Sequence, residues 1–346
     1  MHAAVFHAPG DIRYAEVETP KAGDGELLLR VRAATICGTD LRIFHGRKTK
    51  GVRLPSIIGH EFAGEVVDVG SGVSGFAVGD GVAMDPVIPC LRCEYCKQGR
   101  ENVCANRTAM GYEYDGAFAE YVRIPATGIA SGNVYKLAPG TSWEQAALAE
   151  PLACCLNGQE NAEVGLGDSV VVLGAGPIGL MHLQLARVAG ARQVIVSEPN
   201  ARRRELAASL GADAVVDPNA DDLAASVRER CDGLGADVVI VAIGLPVLVN
   251  QALALVRKQG RVNLFAGFTA GENAAVDPNL IHYNEIRVSG ASALTRRQYE
   301  RSLRLIEAGV IAAGELVTHR LGLHDIGEAL KLAESGDGVK VAIRDE

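Results

Sequence analysis

The sequence predicts an α/β protein in which a doubly wound parallel sheet is inserted into a strand-rich part. Short apolar or alternating segments, separated by glycine and proline, fill residues 1 to about 150. From about residue 168, near-continuous Val and Ile runs alternate with segments of helical periodicity, which is typical of parallel strands joined by helices. The segment after about residue 289 is too short for a domain of its own and is expected to return to the first part.

The candidate elements follow these two rhythms. The first part contains the candidate strands GELLLRVRAATI, EFAGEVVDVG, GDGVAM and AFAEYVRI. Residues 141–162 show helical periodicity instead, and Thr141 and Glu144 have the spacing of a capping box at its start. The second part contains the candidate strands DSVVVLGAG, RQVIVSE, AVVD, DVVIVAIG and RVNLFAGF.

Composition and charge limit the classes of partner. The chain has 346 residues and a formal net charge of -8, which argues against nucleic acid and anionic membrane as main partners. Its most apolar stretch, residues 169–181, is broken by glycine and proline and is shorter than the roughly 20 residues of a membrane helix. The sequence opens without the pattern of a secretory signal. We therefore expect a soluble, cytoplasmic protein that acts on a small molecule.

Four cysteines lie within fifteen residues, in the pattern C-x2-C-x2-C-x7-C, and they are Cys90, Cys93, Cys96 and Cys104. Closely spaced thiolates are typical ligands of tetrahedral zinc. An iron–sulfur site is the alternative, but a ferredoxin pattern would place the fourth cysteine three residues on and follow it with proline. Here Ala105 follows. The pattern favours a structural zinc site, because four thiolates leave no position for a substrate.

A glycine-rich turn follows the strand at residues 169–173. The segment GAGPIG has the form G-x-G-x-x-G and consists of Gly174, Ala175, Gly176, Pro177, Ile178 and Gly179. In this context the glycines allow a tight turn, approach of the backbone to a pyrophosphate, and close packing of helix on strand. The helix start offers free N–H groups to phosphates. The turn predicts a dinucleotide site.

An acidic residue indicates which dinucleotide binds. Glu198 ends the next strand, nineteen residues after the last glycine, where a carboxylate would bind ribose hydroxyls and repel a 2′-phosphate. This favours NAD over NADP. Arg202, Arg203 and Arg204 follow, and they fit either a solvated helix face or, for Arg203, a position beside the adenine.

Several motifs together resemble one family. They are Cys-Gly-Thr-Asp at 37–40, Gly-His-Glu-x-x-Gly-x5-Gly-x-x-Val at 59–73, the cysteine cluster and the glycine-rich turn. Over essentially its whole length the chain resembles the medium-chain zinc-dependent dehydrogenases. The resemblance implies a GroES-like β-barrel catalytic domain, residues 1–152 and 290–346, and an inserted Rossmann NAD-binding domain, residues 153–289. It also implies a catalytic zinc in the cleft between them and a homodimer or homotetramer.

The resemblance also implies roles for individual residues. Cys37 and His60 would be firm ligands of the catalytic zinc, and Glu61 and Glu150 adjustable ones. Asp40 would hold the His60 ring. A glutamate at position 150 is similar to the sorbitol and iditol dehydrogenase branch, which implies oxidation of a secondary alcohol of a polyol or sugar derivative to a ketone.

The implied proton path departs from the family. Thr39 would pass the substrate proton outward, but the family's next member, a histidine, is replaced by Arg42, which cannot act as a base. His45 is a nearby substitute, and water is the other route.

The segment 42–53 is basic in an acidic chain. Its cations are Arg42, Arg47, Lys48, Lys50 and Arg53. One interpretation is a solvated loop. The other is a clamp for the phosphate of a phosphorylated sugar alcohol, with Arg42 and Arg47 as its arginines, because arginine suits bidentate phosphate recognition.

Three alternative classes of protein are compared with this prediction. A zinc-free quinone reductase would lack Cys37, His60 and the cysteine cluster, all of which are present. A threonine-type amino-acid dehydrogenase shares the CGTDL pattern but has the histidine that is missing here. A non-catalytic, NAD- and zinc-binding relative would be expected to have lost the open zinc site.

Overall fold

The computed structural model describes residues 1–344, which divide into two compact units. The first unit comprises Met1–Ala153 and the chain from Ala293 onward, and the second comprises Cys154–Ser292. The sequence predicts the two domain boundaries directly after residue 152 and directly after residue 289. Across the described residues, no helix is both long enough and apolar enough to cross a membrane.

The first unit is rich in strands. These are β1 (His2–Ala8), β2 (Asp11–Glu16), β3 (Leu27–Thr35), β4 (Ser56–Ile57), β5 (Glu61–Val69), β6 (Gly81–Met84), β7 (Val87–Ile88), β8 (Thr108–Ala109), β9 (Tyr121–Ile124), β10 (Val134–Lys136), β17 (Val317–Gly322) and β18 (Lys340–Arg344). Its helices are α1 (Gly38–Phe44), α2 (Glu94–Lys97), α3 (Ala126–Ala130), α4 (Trp143–Ala147), α5 (Ala149–Asn161), α11 (Arg296–Glu307), α12 (Ala313–Leu316) and α13 (Ile326–Ser335). Only the first turns of α5 lie in this unit.

The largest sheet of this unit has the order β10-β6-β5-β3-β18-β17, and β9 also pairs with β3. The strand β3 is buried along nearly its whole length because it pairs with β5, β9 and β18. The pairing of Ala342 with Thr35 shows that the chain after residue 289 returns to the first unit, as the sequence predicts. The apolar core formed around this sheet supports the residues at the ends of β3 and β5.

The second unit is a six-stranded parallel sheet with the order β13-β12-β11-β14-β15-β16. The strands are β11 (Ser169–Leu173), β12 (Gln193–Ser197), β13 (Ala214–Val216), β14 (Ala236–Val241), β15 (Val256–Leu264) and β16 (Arg287–Gly290). The helices are α6 (Pro177–Val188), α7 (Ala201–Ser209), α8 (Leu223–Arg230), α9 (Val247–Leu255) and α10 (Pro278–Asn284). This strand order is that of a dinucleotide-binding sheet, and it confirms the predicted α/β fold.

The capping box predicted at residues 141–144 is wrong. The helix α4 begins after Ser142, and the Glu144 carboxylate accepts hydrogen bonds from Arg320, at 3.0 Å, and from Arg344. Thr141 instead donates to the carbonyl of Ala138. Two arginines that are remote in sequence therefore take the carboxylate that the local pattern assigned to the helix start.

The packing of Gly179 against the glycine-rich turn is expected to be sensitive to a single methyl group. An added Cβ at this position would lie 1.9 Å from the carbonyl oxygen of Gly174. We expect Gly179→Ala to lower the free energy of unfolding by about 1–3 kcal/mol, since backbone atoms would have to shift, and to weaken NADH binding. Urea unfolding and NADH fluorescence measure the two effects.

The matched control is Gly165→Ala, where an added Cβ meets nothing closer than 3.9 Å. Equal behaviour of the two variants would contradict the packing argument.

Candidate metal centres and coenzyme site

The four clustered cysteines converge as a tetrahedral site requires. The Sγ atom of Cys93 lies 3.5 Å from that of Cys96 and 3.8 Å from that of Cys104, and all four Sγ atoms lie within 4.8 Å of one another. Four sulfurs at about 2.3 Å from a zinc ion are about 3.8 Å apart in a regular tetrahedron. The spacing therefore fits a zinc ion in this cluster.

Backbone N–H groups point at the sulfurs. The N–H of Cys90 donates to the Cys104 Sγ at 3.3 Å, and the N–H of Asn106 donates to the same atom at 3.4 Å. Hydrogen bonds from the N–H groups of Arg92 and Cys93 lower the pKa of the Cys90 thiol to about 6. Such donors stabilise thiolates, which are the form that binds a metal.

A second group of ligands forms where α1 meets the start of β5. The Cys37 Sγ, a ring nitrogen of His60 and a carboxylate oxygen of Glu61 lie within 4.8 Å of one another. Cys37 directly precedes α1, and Glu61 is the first residue of β5. Glu150 is outside this set of atoms, but it is buried in the first turn of α5 and its charge acts on Tyr112. Three of the four predicted ligands thus converge, and the fourth lies near the site.

Asp40 faces the imidazole of His60. One carboxylate oxygen of Asp40 lies 3.2 Å from the Nδ1 of His60, and the other accepts the backbone N–H of Cys37 at 2.9 Å. Both side chains are buried. With Nδ1 directed at Asp40, the Nε2 of His60 is the nitrogen that remains for a metal.

The groups around His60 favour positive charge at this site. Burial by itself would lower the pKa of His60, but Tyr112, Asp40 and Cys37 raise it well above the usual value. A site that gathers a thiolate and carboxylates in a buried place is stabilised by a bound positive charge.

The sequence did not predict the partners of Glu61. Its Oε1 accepts a hydrogen bond from the Nζ of Lys340 at 2.8 Å, and its Oε2 accepts one from the hydroxyl of Thr35. Lys340 is 3 % exposed and Glu61 is fully buried. Burial lowers the pKa of Lys340, yet Glu61 and Cys37 together raise it, so the ammonium stays charged. A lysine at the start of the final apolar strand was the signal available in the sequence.

The predicted proton carriers lie at opposite ends of α1. The Oγ1 of Thr39 accepts a hydrogen bond from Arg42 at 3.1 Å. His45 follows the helix, and its Nε2 lies 2.9 Å from a carboxylate oxygen of Glu334. The separation of six positions from Thr39 to His45 corresponds to about 9 Å along the helix axis. The structure therefore does not bring these two side chains together directly.

Glu198 is hydrogen-bonded to the glycine-rich turn. The Oε2 of Glu198 accepts the N–H of Ala175 at 2.7 Å, and its Oε1 accepts the N–H of Asn200 at 2.9 Å. Gly174 has a φ of +103°, which allows the tight turn before α6. Pro177 and Ile178 open that helix, and Pro177 is suited to a first helical position.

Among the arginines after Glu198, Arg204 stabilises the start of α7 and Arg203 faces the glycine-rich turn. Arg204 donates to the carbonyls of Glu198 and Pro199, at 2.8 Å and 2.7 Å, and pairs with Asp217. The guanidinium of Arg203 lies beside Gly176, 3.9 Å from where a Cβ of that residue would be.

The two predicted clamp arginines differ from the lysine that follows them, Lys48. Arg42 contacts Thr39, whereas Arg47 is exposed and its side chain has no described partner within residues 1–344. Lys48 is half-buried, and its Nζ lies 4.1 Å from the centre of the Tyr112 ring. Lys48 could not be singled out from the sequence, because only the fold brings it to Tyr112.

Metal content tests both centres. We expect two zinc ions per chain in the wild type and one in each of Cys96→Ser and Cys37→Ser, because a serine hydroxyl is a poor substitute for a thiolate ligand. Plasma emission spectroscopy on dialysed protein measures the ratio of zinc to chain. Cys154→Ser, outside both clusters, is the control and should keep two. Loss of both ions in either variant, with the fold intact by circular dichroism, would contradict two independent centres.

Comparison with known families gives a consistent result. A model described as the alcohol dehydrogenase GroES-like domain matches residues 23–139, and one described as the zinc-binding dehydrogenase matches residues 177–308. The chain is 39% identical to an L-threonine 3-dehydrogenase of Pyrococcus furiosus, over 94% of this chain and 93% of the relative. It is 34% identical to a D-arabitol-phosphate dehydrogenase of Enterococcus avium, over 99% and 97%.

Solved structures show the same architecture. A zinc-binding dehydrogenase of Sinorhizobium meliloti with bound NADP superposes with a TM-score of 0.93 at 34% identity, covering 99% of both chains. An Escherichia coli alcohol dehydrogenase in complex with NADH superposes with a TM-score of 0.90 at 29% identity, covering 100% of this chain and 99% of the other. With these matches over nearly its whole length, the chain belongs to the zinc-dependent medium-chain alcohol dehydrogenase family, and it is an oxidoreductase with a GroES-like and a Rossmann-like domain.

Proposed function

We propose that this protein oxidises a secondary alcohol of a polyol or sugar derivative to a ketone, with NAD as hydride acceptor and zinc in the site of Cys37, His60, Glu61 and Glu150. The observation that carries the proposal is the convergence of Cys37, His60 and Glu61 around one point, with Asp40 fixed behind the imidazole. The D-arabitol-phosphate dehydrogenase among the relatives supports a polyol substrate.

The donor set fits zinc. Zinc accepts all the ligand types present here: a cysteine sulfur, an imidazole nitrogen, a carboxylate and a second carboxylate nearby. Because fewer than four of these ligands are firm, a coordination position is left for the substrate. A zinc ion bound there supplies Lewis-acid chemistry, lowering the pKa of an alcohol hydroxyl that it coordinates.

The chain's own residues prepare the site for that chemistry. Asp40 keeps the ring of His60 in one orientation and one tautomer. Lys340 and Thr35 hold Glu61 at the edge of the site, so that its carboxylate has partners whenever it is not a ligand. This suits the adjustable role that we assign to Glu61.

Thr39 is the residue we assign to the first proton transfer. Because Arg42 donates to the Thr39 oxygen, the hydroxyl hydrogen of Thr39 is directed elsewhere and one lone pair stays free to accept. The hydroxyl is thus able to accept one proton and release another. Participation of His45, which pairs with Glu334, stays a prediction.

We assign the coenzyme to the turn of Gly174, Gly176 and Gly179, with Pro177 and Ile178 opening the helix that faces the phosphates. The buried Glu198 carboxylate beside this turn would repel a 2′-phosphate, which supports NAD. Arg203 beside Gly176 provides positive charge for the coenzyme. The NADP in one solved relative and the NADH in another make the choice a matter for direct measurement.

Further proposals concern the boundaries and the assembly. We assign residues 1–152 and 290–346 to the catalytic domain and residues 153–289 to the coenzyme domain. A homodimer or homotetramer located in the cytoplasm completes the proposal.

A second candidate function is oxidation of L-threonine. The 39% identity to the L-threonine 3-dehydrogenase of Pyrococcus furiosus favours it. Arg42 at the place of that branch's usual histidine argues against it.

The test is NADH formation, followed by absorbance, with zinc-loaded protein. The panel contains free polyols, phosphorylated polyols and L-threonine, each with NAD and with NADP. We expect kcat/KM to be highest for a polyol or its phosphate with NAD, because Glu198 disfavours NADP. Asp40→Asn should lower kcat/KM about 10- to 100-fold, the range for residues that contact a metal-bound histidine from behind.

Turnover of L-threonine alone would transfer the protein to the second candidate function. Absence of turnover throughout, with two zinc ions bound per chain, would contradict the substrate class.

A further inference from the structure

A group of cations stands beside the catalytic site. The Nζ of Lys48 lies 4.1 Å from the centre of the Tyr112 ring, and the Tyr112 ring centre lies 5.7 Å from that of His60. On α1, Arg42 donates to the Thr39 hydroxyl at 3.1 Å. Lys48 is therefore one aromatic ring away from a predicted zinc ligand, and Arg42 touches the predicted proton carrier.

The backbone holds these two cations together. The N–H groups of Arg47 and Lys48 both donate to the carbonyl of Arg42, at 2.8 Å and 3.1 Å, so the chain after α1 folds back on the helix end. Gly51, with a φ of +83°, packs so closely on Glu113 that an added Cβ would lie 2.3 Å from its Oε1. The loop therefore contacts residues 112–113 through Gly51 and Lys48, while Arg47, Thr49 and Lys50 are exposed.

The charges in this group are not balanced by acids. Within residues 1–344, Arg42, Lys48 and Lys50 have no carboxylate at ion-pair distance, and the Lys48 Nζ donates only to the carbonyl of Lys50, at 3.1 Å. Glu113 is the nearby acid, and its Oε2 is bound by the N–H of Ala109. Arg53, farther along, is neutralised by Asp115 at 2.7 Å.

Lys48 experiences this excess of positive charge. Burial lowers its pKa most, and Arg107, Arg42 and Lys50 lower it further, while Glu113 opposes them. In a chain of net charge -8, three further cations, Arg107, Arg42 and Lys50, thus act on Lys48 against the single carboxylate of Glu113. Like charges held together repel, and a bound anion removes that repulsion.

We propose that Lys48, with Arg42, forms an anion subsite that binds a phosphate or carboxylate at the far end of the alcohol substrate. The proposal rests on the proposed function and names its substrate class: hydroxylated substrates with a terminal anionic group. Tyr112, between Lys48 and His60, forms the wall along which the carbon chain lies. The subsite pairs Arg42 with Lys48, and Arg47 stays the second arginine predicted from the sequence, because Lys48 lies over the Tyr112 ring and Arg42 contacts Thr39.

The dimensions suit such a substrate. A chain of four or five carbon atoms spans about 5 Å, from bond lengths near 1.5 Å. A charge-assisted hydrogen bond adds about 3 Å between donor and acceptor. These two lengths, together about 8 Å, are comparable with the separation across Tyr112, whose ring centre lies 4.1 Å from the Lys48 Nζ and 5.7 Å from the His60 ring centre.

The test compares anionic and neutral substrates on zinc-loaded enzyme. A phosphorylated pentitol, the free pentitol and the corresponding sugar acid are assayed with wild type, Lys48→Met and Lys48→Arg. We expect Lys48→Met to lower kcat/KM about 10- to 100-fold for the preferred anionic substrate, the usual effect of losing a hydrogen bond to a charged group. The effect on the free pentitol should be less than about 3-fold. Lys48→Arg, which keeps the charge, should recover most of the activity.

Two features make the result decisive. Lys21→Met changes the net charge equally at an exposed loop position and should leave all three substrates unchanged. Calorimetric titration of wild type and Lys48→Met with the phosphorylated pentitol measures binding without turnover, and Kd should rise by the same factor as kcat/KM falls.

The outcomes separate the two proposals. A larger loss with the phosphate identifies a phosphate ester as the ligand, and a larger loss with the sugar acid identifies a carboxylate. Equal losses on the neutral and anionic substrates would overturn the anion subsite while leaving the alcohol oxidation intact. Failure of wild type to oxidise any alcohol, with the phosphorylated pentitol still bound through Lys48, would overturn the proposed function and leave the subsite.

Discussion

The carboxylate of Asp40 joins two parts of the chain on which the candidate catalytic site depends. One of its oxygens accepts the N–H of Cys37, which fixes the start of α1, and the other faces the Nδ1 of His60 just before β5. Because Asp40 is fully buried, water does not compete for these contacts. The Cys37 backbone and the His60 imidazole therefore both contact one side chain. Such contacts are what a metal site requires of its supporting residues.

A second buried contact connects the site to the end of the chain. Lys340 begins β18, which pairs with β3, and its ammonium meets Glu61 at the start of β5. A buried ion pair is costly unless both charges are fully satisfied, and Thr35 supplies the additional hydrogen bond to Glu61. The return of the last strand to the first sheet thus brings the cation that stabilises a buried carboxylate in the absence of a metal. Fold topology and site electrostatics depend on the same strand.

The sequence predicted those features that follow from local pattern. Runs of Val and Ile gave the parallel strands, and the glycine spacing gave the turn before α6, because both depend on neighbouring residues. Contacts between remote residues were not predictable. The proposed capping box failed because Arg320 and Arg344, 176 and 200 positions away, bind Glu144. Lys48 was passed over for Arg47 because only the folded loop shows which of the two meets Tyr112.

The most direct test of the account is X-ray absorption at the zinc edge on the zinc-loaded wild type. If the two centres are as described, one zinc has four sulfur neighbours at about 2.3 Å, and the other has a single sulfur with nitrogen and oxygen neighbours at about 2.0–2.2 Å. The averaged spectrum should therefore require both kinds of shell in comparable amounts. A spectrum explained by sulfur neighbours alone would contradict the assignment of a zinc ion to Cys37, His60 and the glutamates.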